Sequence, residues 1–346
     1  MHGYGYLYRQ SRQLARRVSR LGIGTYPTPI SAVRTRHGQL FVKHDDRAHA
    51  RYAGNKLRKL EFLLADAVAR QCRYVATFGA AGSNHALATA LHARALGLQP
   101  IAFLSRQAAT SRVATTLACH RRIGTTLIYA APDDSGHAAV RETLLSLGKR
   151  VAVVPMGGSS WLGALGFIAA AAELREQIEA NILPTPSRIV IPLGTMGSVI
   201  GLAMGLHLSE LPTRVHAVRV VNESIANDDR LVAVGERWRE HIEIIDPDIK
   251  LAGWQRRVTV DHAQFGQGYA RATDASEDAR RIAAEDASLE LENTYSAKAF
   301  AGWLAHDTMA DDRTLFWNTF DPRTPALPSY GQATTTVPNE LAYLES

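Results

Sequence analysis

Short apolar segments alternate with longer helical patterns along most of this chain. Helical patterns such as HALATALHARALGL, in which Gly97 closes the helix, separate one apolar segment from the next. Parallel strands need helical crossovers of this kind, because a tight turn joins only antiparallel neighbours. The alternation therefore predicts an α/β fold, with helices covering open parallel sheets. The strand-like segments are QLFVKHDD, RYVATF, QPIAFL, RVAVVPMGG, RIVIPL and RVHAVRVV.

Composition limits the class of protein. With 346 residues, of which 46% are hydrophobic and 21% charged, the chain suits two domains with a sizeable core. The sequence lacks an apolar run as long as a membrane-spanning helix, so we expect no membrane partner. Cys72 and Cys119 form neither a disulfide framework nor a CxxC pair, which favours a reducing, cytoplasmic setting. The net charge is +6, but the basic residues are scattered, so we expect no nucleic-acid partner.

The two ends of the chain have a biased composition. The segment RQSRQLARRVSRLG is rich in arginine and lacks acidic residues. It is either a mitochondrial presequence or an amphipathic helix docked through Leu14, Val18 and Leu21, and its few serines favour the docked helix. Residues 322–346 are rich in proline and threonine, and we expect this tail to run over the surface.

The first candidate site is a cationic helix start in YAGNKLRKLEFLLADA. Lys56, Arg58 and Lys59 lie where leucines begin to recur at the spacing of one helical face. Positive charge at a helix N-terminus opposes the macrodipole, which favours anions there by about 0.3–1 kcal/mol. The three cations therefore either point into water or surround a negative group.

The second candidate site is the strand-to-helix turn in TFGAAGSNHALA. Gly79 and Gly82 permit a tight turn, and Ser83 with Asn84 can cap the helix that follows. The N–H groups of that helix start could bind a carboxylate or a phosphate, although a plain capped helix explains the sequence equally well. His85 in this turn is either a base or a structural residue.

The third candidate site is the glycine loop in IVIPLGTMGSVIGLAMGL. Gly194, Gly197 and Gly201 match neither a Walker loop nor a dinucleotide fingerprint, although Glu223 lies near the place of a ribose-binding acid. A phosphate site built from loop N–H groups fits the residues better than a nicotinamide cofactor. HExxH, Cys/His-cluster and GxSxG motifs are absent from the sequence, so we expect no metal site.

Pyridoxal 5′-phosphate would account for all three junctions, because it needs a lysine, a phosphate site and a site for an amino-acid carboxylate. The segments AGNKLRKLEFLLADA and GSNHALATALHARALGL resemble D-cysteine desulfhydrase and 1-aminocyclopropane-1-carboxylate (ACC) deaminase. These enzymes belong to the fold-type-II pyridoxal-phosphate group of the tryptophan synthase β-subunit. The resemblance extends in register from Tyr26 to Asp321 and includes VVPMGGSSWLGALGF and the segment beginning FGQGYARATD.

The resemblance implies a two-domain, three-layer α/β fold with open twisted sheets and with the cofactor in the cleft between the domains. Residues 66–172 would form a smaller inserted domain. Residues 1–65 together with 173–346 would form the larger cofactor-binding domain, including the tail 322–346. A homodimer is usual in this family and is expected here.

The resemblance also implies roles for individual residues. The catalytic residues would be Lys56, which binds the cofactor covalently, and Ser83, Tyr269 and Tyr295. The residues near the substrate would be Gly82, Ser83, Asn84, His85 and Phe320. The cofactor would also contact Asn55, Lys59, Asn84, Gly194, Thr195, Met196, Gly197, Ser198, Ser296 and Thr319, with Asn84 at its ring hydroxyl and Ser296 near its pyridine nitrogen.

Several positions depart from the family pattern, among them Gly82, Phe320 and Asp321. Gly82 stands where the family has glutamine, which would open space beside Ser83. Phe320 and Asp321 replace two glycines and would add bulk and charge near the expected edge of the cofactor ring. We therefore predict a lyase or deaminase that acts on a small amino acid by elimination or deamination, but that turns over D-cysteine and ACC poorly. The alternatives are β-replacement, racemisation, a non-catalytic homologue that binds the cofactor, and a nicotinamide dehydrogenase.

Overall fold

The computed structural model describes residues 7–8, 11–306, 313–327 and 335–344. Its contacts divide the chain into two compact units. The first unit consists of Met1–Val18, Gly22–Lys59 and Ser159–Pro322, and the second of Ser19–Leu21, Leu60–Gly158 and Arg323–Ser346. These boundaries differ from 66 and 172, the limits that the sequence predicts for the inserted domain.

Strands and helices alternate through both units, and the predicted α/β class is confirmed. The described strands are β1 (Ile30–Thr35), β2 (Gly38–His44), β3 (Tyr74–Ala80), β4 (Gln99–Ser105), β5 (Thr126–Tyr129), β6 (Val151–Val154), β7 (Arg188–Leu193), β8 (Arg214–Arg219), β9 (Val258–Asp261) and β10 (Thr314–Asn318). The described α-helices are α1 (Arg12–Arg17), α2 (Lys56–Ala69), α3 (Asn84–Ala95), α4 (Ser111–Ile123), α5 (Asp134–Leu147), α6 (Trp161–Glu179), α7 (Gly197–Leu208), α8 (Asp228–Ile245), α9 (Asp274–Ala287) and α10 (Ser296–Leu304). Among the helices of the described residues, none is long and apolar enough to cross a bilayer.

The first unit is built on a six-stranded sheet with the order β1-β2-β10-β7-β8-β9. Only the β1–β2 pair in this sheet is antiparallel, and the other neighbours are parallel. Strand β7 is apolar at every buried position, with Ile189, Val190, Ile191 and Leu193 fully inaccessible. A central parallel strand needs this composition because helices cover both of its faces. The loop after β7 is the glycine loop of the third candidate site.

The second unit is built on a four-stranded parallel sheet with the order β5-β4-β3-β6. Ala86 of α3 and Leu117 of α4 pack with Leu104 in one core cluster. Described residues of the C-terminal tail complete the same cluster through Val337, Leu341 and Leu344, which are all buried. The tail therefore contributes to a core as well as running over the surface. Two of its buried side chains, Leu341 and Leu344, lie in the 3-10 helix Asn339–Leu344.

The N-terminal helix α1 is docked on the first unit. Ser11 caps it by accepting a hydrogen bond from Leu14 N at 2.9 Å, and Leu14 is fully buried. The Asp246 carboxylate accepts hydrogen bonds from the Ser11 hydroxyl and, at 3.3 Å, from Gln13 N. These contacts agree with the docked-helix interpretation of the arginine-rich segment.

Candidate cofactor site

The chain enters α2 through a turn that is held by the end of the sheet. Gly54 has φ +94°, and a Cβ there would lie 2.9 Å from the carbonyl oxygen of Thr319. Asn55 N donates to the same carbonyl oxygen at 3.2 Å. Thr319, which the resemblance places at the cofactor, therefore holds the turn with its backbone. This contact fixes where Asn55 and Lys56 begin the helix.

Arg58, the second cation of the helix start, is neutralised by protein carboxylates. Its guanidinium is fully buried and lies 2.8 Å from an Asp45 oxygen and 2.9 Å from a Glu173 oxygen. The two carboxylates hold the pKa of Arg58 well above its usual value, while Arg58 and Lys43 lower the pKa of Glu173 to about 2. The negative groups beside this cation thus belong to the protein itself.

Lys56 is only partly exposed. Among the described residues, no carboxylate forms a hydrogen bond with its amine. Its Nζ donates to Asn55 Oδ1 at 3.0 Å and lies 5.9 Å from the centre of the Tyr295 ring. Burial lowers the pKa of Lys56 to about 8, against the opposing charge of Glu292. A substantial fraction of this lysine is therefore an unprotonated amine near neutral pH, which is the nucleophilic form.

Lys59 lies one turn further along α2, where its amine faces the glycine loop. It is 1% exposed, and burial together with the charge of Lys56 holds its pKa well below the usual value. A Cβ added at Gly197 would lie 2.9 Å from Lys59 Nζ and 2.6 Å from Ser159 Oγ. The space between these groups exists only because residue 197 has no side chain.

The glycine loop reaches α7 through an unusual backbone conformation. Met196 has φ +66°, and within the described residues no side chain caps the helix start that follows. Ser198 is buried and its Oγ accepts a hydrogen bond from Asn55 Nδ2 at 3.2 Å. Thr195 Oγ1 lies 2.7 Å from Ser159 Oγ. The loop thus brings backbone N–H groups and hydroxyls to Lys59, as a phosphate site requires.

Ser159 is a residue of this site that the sequence predictions missed. Its Oγ accepts a hydrogen bond from Gly197 N at 3.3 Å, in addition to its contact with Thr195. The available signal was the pair Gly157–Gly158, both with positive φ, between β6 and α6. A strand end, two glycines and a serine before a helix form the same pattern as the other two junctions.

Near the glycine loop, the site also contains two tyrosines and the start of helix α10. The hydroxyls of Tyr269 and Tyr295 are 2.6 Å apart, and burial raises the pKa of both. Gly194 is close to this pair, since a Cβ there would lie 3.3 Å from Tyr295 Cε1. Glu292 Oε1 accepts hydrogen bonds from the backbone N of Tyr295 at 2.9 Å and of Ser296 at 2.8 Å. Sequence reasoning missed Glu292, although an acid shortly before a helix start is a capping signal.

The serine-asparagine-histidine turn lies in the second unit. Ser83 caps α3, and its Oγ accepts a hydrogen bond from Ala86 N at 3.2 Å. His85 is buried, with Nε2 3.0 Å from Thr77 Oγ1 and 3.1 Å from the Pro155 carbonyl oxygen. These contacts favour the structural interpretation of His85, whereas Ser83 occupies the end of β3, where open α/β sheets bind ligands.

Two of the expected departures have different consequences from those predicted. A Cβ at Gly82 would lie 2.8 Å from Val113 Cγ2 and 3.1 Å from Gln107 Oε1, so the prediction of open space beside Ser83 is wrong. Asp321 is buried in the first unit, where its Oδ2 accepts a hydrogen bond from Ala53 N at 2.8 Å. Phe320 is also buried, with 8% exposure. The carboxylate of Asp321 therefore supports the backbone that leads into α2.

The first unit fits a phosphorylated cofactor that a lysine binds. It combines an amine of lowered pKa, a second buried lysine, and a glycine loop whose Gly197 leaves room between Lys59 and Ser159. Pyridoxal phosphate requires these groups together. Over residues 21–319 the chain matches the family of pyridoxal-phosphate dependent enzymes, and it belongs to that family. Pyridoxal phosphate is its cofactor.

The chain is also similar to individual proteins with known names. The chain is 34% identical over 341 residues to nocardicin C-9′ epimerase of Nocardia uniformis subsp. tsuyamanensis, covering 94% of this chain and 98% of the relative. It is 29% identical over 273 residues to D-cysteine desulfhydrase of Yersinia pestis (strain Pestoides F), covering 77% of this chain and 80% of that protein. A crystal structure of an ACC deaminase homologue has the same fold, with a TM-score of 0.74 and 23% identity, over 90% of this chain and 94% of that one. The chain is thus similar to D-cysteine desulfhydrase and ACC deaminase, as its sequence predicts.

Proposed function

We propose that this enzyme removes the Cα proton of an amino acid and that Lys56 is the lysine to which the cofactor is bound. The environment of Lys56 supports the assignment most directly. Its amine has a pKa of about 8, lies 3.0 Å from Asn55 Oδ1, and follows the turn that Thr319 holds. A solvated lysine, with a pKa of about 10.4, would have far less neutral amine available for covalent bonding at neutral pH.

Lys59 and the loop 194–198 would bind the cofactor phosphate. Lys59, Ser159 and the backbone of Gly197 converge on a space that a side chain at residue 197 would fill. Hydrogen bonds from Asn55 and contacts of Ser159 hold the loop hydroxyls in place. Ser296, whose backbone N binds Glu292, would lie near the pyridine nitrogen of the cofactor.

Pyridoxal phosphate, when bound, withdraws electrons from the substrate Cα and so makes its proton acidic. Lys56 Nζ would take that proton and return it, because its lowered pKa suits proton exchange near neutral pH. The Tyr269–Tyr295 pair would act as an acid, since the raised pKa of each hydroxyl keeps it protonated. One hydroxyl donates to the other across 2.6 Å, which leaves one proton to donate to the substrate.

Elimination or deamination is the first candidate outcome, and it is supported by similarity to the relative named D-cysteine desulfhydrase. Epimerisation is the second candidate. It is favoured by 34% identity, over 94% of the chain, to the relative named nocardicin C-9′ epimerase. Both reactions begin with removal of the Cα proton. An epimerase then returns a proton to the other face. A lyase instead expels the substituent at Cβ, and water then replaces the amine, so that the products are the leaving group, ammonia and a 2-oxo acid.

Two experiments test this proposal. Borohydride reduction of the loaded protein followed by peptide mapping should find the cofactor on the peptide that contains Lys56, and Lys56→Ala should abolish this label. Incubation with D- and L-amino acids in D₂O should exchange the Cα proton, and a 2-oxo acid assay on the same samples separates elimination from epimerisation. A label on another lysine would overturn the role of Lys56, and loaded protein without exchange or 2-oxo acid would overturn the reaction.

We also propose that the enzyme is a homodimer in a reducing compartment. Cys72 and Cys119 are both free and buried, which suits a setting without disulfides. The homodimer rests on the family resemblance, and light scattering of the purified protein measures it.

A further inference from the structure

A glutamine from a neighbouring loop covers the turn between β3 and α3. Gln107, which follows β4, lies so close to Gly82 that a Cβ there would be 3.1 Å from its Oε1 and 3.2 Å from its Nε2. The Gly82 N–H donates to Gln107 Oε1 at 3.0 Å. The turn therefore carries a carboxamide at residue 82, although this residue has no side chain of its own.

The contacts of Gln107 determine which way its carboxamide points. A backbone N–H can donate only to an acceptor, so the oxygen of the carboxamide faces Gly82 and the NH₂ group faces away from that N–H. The hydroxyl of Tyr343 donates to the backbone carbonyl of Gln107 at 2.8 Å and anchors this loop position from the other side. Among the described residues, no hydrogen-bond acceptor is paired with Gln107 Nε2. Gln107 thus presents two N–H donors beside the turn.

The other backbone N–H donors of residues 81–83 are used within the protein. Ala81 N donates to the Ser105 carbonyl oxygen at 3.0 Å, and Ser83 N donates to the Ala80 carbonyl oxygen at 2.9 Å. Ser83 Oγ accepts the hydrogen bond that caps α3. A ligand that approaches residues 81–83 therefore meets the NH₂ group of Gln107 as an available donor.

We infer that Gln107 is a specificity-determining residue whose Nε2 donates a hydrogen bond to the α-carboxylate of the amino-acid substrate. The inference rests on the proposed function and on the family resemblance, which implies that the turn of Ser83 lies near the substrate. A carboxylate accepts hydrogen bonds only, so a neutral NH₂ donor is matched to it. The residue would discriminate in favour of amino acids over amines that lack the carboxylate.

Gln107→Glu tests this assignment because it keeps the oxygen that accepts from Gly82 and replaces only the NH₂ group. Glycine and glycinamide serve as probes, since they differ only in the carboxylate and have no stereochemistry at Cα. Binding is followed by the absorbance change of the cofactor in the loaded protein. We expect Gln107→Glu to weaken glycine binding by about 10- to 100-fold and to change glycinamide binding less than about threefold. Gln71→Glu, at the opposite end of β3, adds the same charge and should change neither.

The outcomes separate the possible roles. Equal weakening of glycine and glycinamide would mean that Gln107 only holds the Gly82 turn, and unchanged binding of both would mean that it does not reach the ligand; either result overturns the inference. Gln107→Met, which loses both the acceptor and the donor, should also weaken glycine binding more than glycinamide binding. If the loaded wild-type protein responds to neither probe, the proposed action on amino acids fails, and the assignment of Gln107 fails with it.

Discussion

Arg58 and Lys59 are neighbours on the first turn of α2, and both side chains are buried, but their surroundings differ. Arg58 lies between the carboxylates of Asp45 and Glu173, with the Tyr26 ring 4.5 Å from its guanidinium carbon. The charge that acts on Lys59 is that of Lys56, which disfavours protonation, and its amine lies beside the glycine loop. Protein carboxylates thus neutralise Arg58, whereas burial and Lys56 lower the pKa of Lys59, and an anion bound beside it would favour its protonated form.

This difference shows how one helix start combines structural and ligand-binding functions. A buried charge is costly unless groups of opposite charge surround it. The protein supplies those groups to Arg58, and the pKa of Glu173 falls to about 2 as a result. Burial lowers the pKa values of Lys56 and Lys59, and a bound phosphate would oppose that shift. The helix start is therefore suited to a dianionic cofactor.

The largest effect is expected from removing Arg58. Arg58→Met should destabilise the protein by about 3–5 kcal/mol, because Asp45 and Glu173 would be left as buried charges without their partner. Urea unfolding of the cofactor-free protein measures this change. Arg70→Met, which removes an exposed cation just beyond the same helix, should cost less than about 1 kcal/mol. Equal costs for both variants would show that the Arg58 cluster contributes no more than a surface ion pair.

A smaller effect on stability, but a clear effect on cofactor affinity, is expected from Lys59→Ala. Charge-assisted hydrogen bonds contribute about 1.5–3 kcal/mol, so the affinity for pyridoxal phosphate should fall by about 10- to 100-fold. Equilibrium dialysis of the cofactor measures the change, and Lys250→Ala, an exposed lysine of the same unit, is the control. Cofactor affinity that is equal in both variants would contradict a phosphate site at Lys59.

The smallest effect is a pH shift at Lys56. Because its pKa is lowered to about 8, the rate at which the cofactor-free protein binds pyridoxal phosphate covalently should rise with pH and level off above about pH 8. The charge of Glu292 raises this pKa, so Glu292→Gln should move the midpoint to lower pH, whereas the exposed neighbour variant Glu290→Gln should not. Stopped-flow absorbance measures the midpoint. A rate that still rises near pH 10 would contradict the lowered pKa.

Much of the fold follows from local sequence patterns. The strand β7 is a continuous apolar run that begins at Ile189, and its composition alone predicts a buried parallel strand. The strands β5 and β9 escaped prediction because neither has a continuous buried apolar run: β5 has one buried residue among its four, and β9 has none. The antiparallel strand β1 was missed as well, since its edge position leaves most of its side chains partly exposed.

The parts of the site that form a recognisable local sequence pattern could be predicted. The cations of α2 and the glycines at 194 and 197 are visible in the sequence, and the structure brings Lys59 to Gly197. The contacts of Gln107 with Gly82 and of Arg58 with Glu173 join residues that are 25 and 115 positions apart. No local pattern encodes such pairs, because they depend on which loops and helices the fold makes neighbours.

The C-terminal tail has a consequence for how the protein is made. Its buried residues Val337, Leu341 and Leu344 belong to the core of the second unit, whose main segment ends at Gly158. During synthesis, that segment leaves the ribosome well before the tail is made. Domains fold during synthesis as soon as their sequence is available, and contacts between distant segments form late. The second unit therefore completes its core, and gains the Tyr343 anchor of Gln107, only after residues 337–344 have left the ribosome.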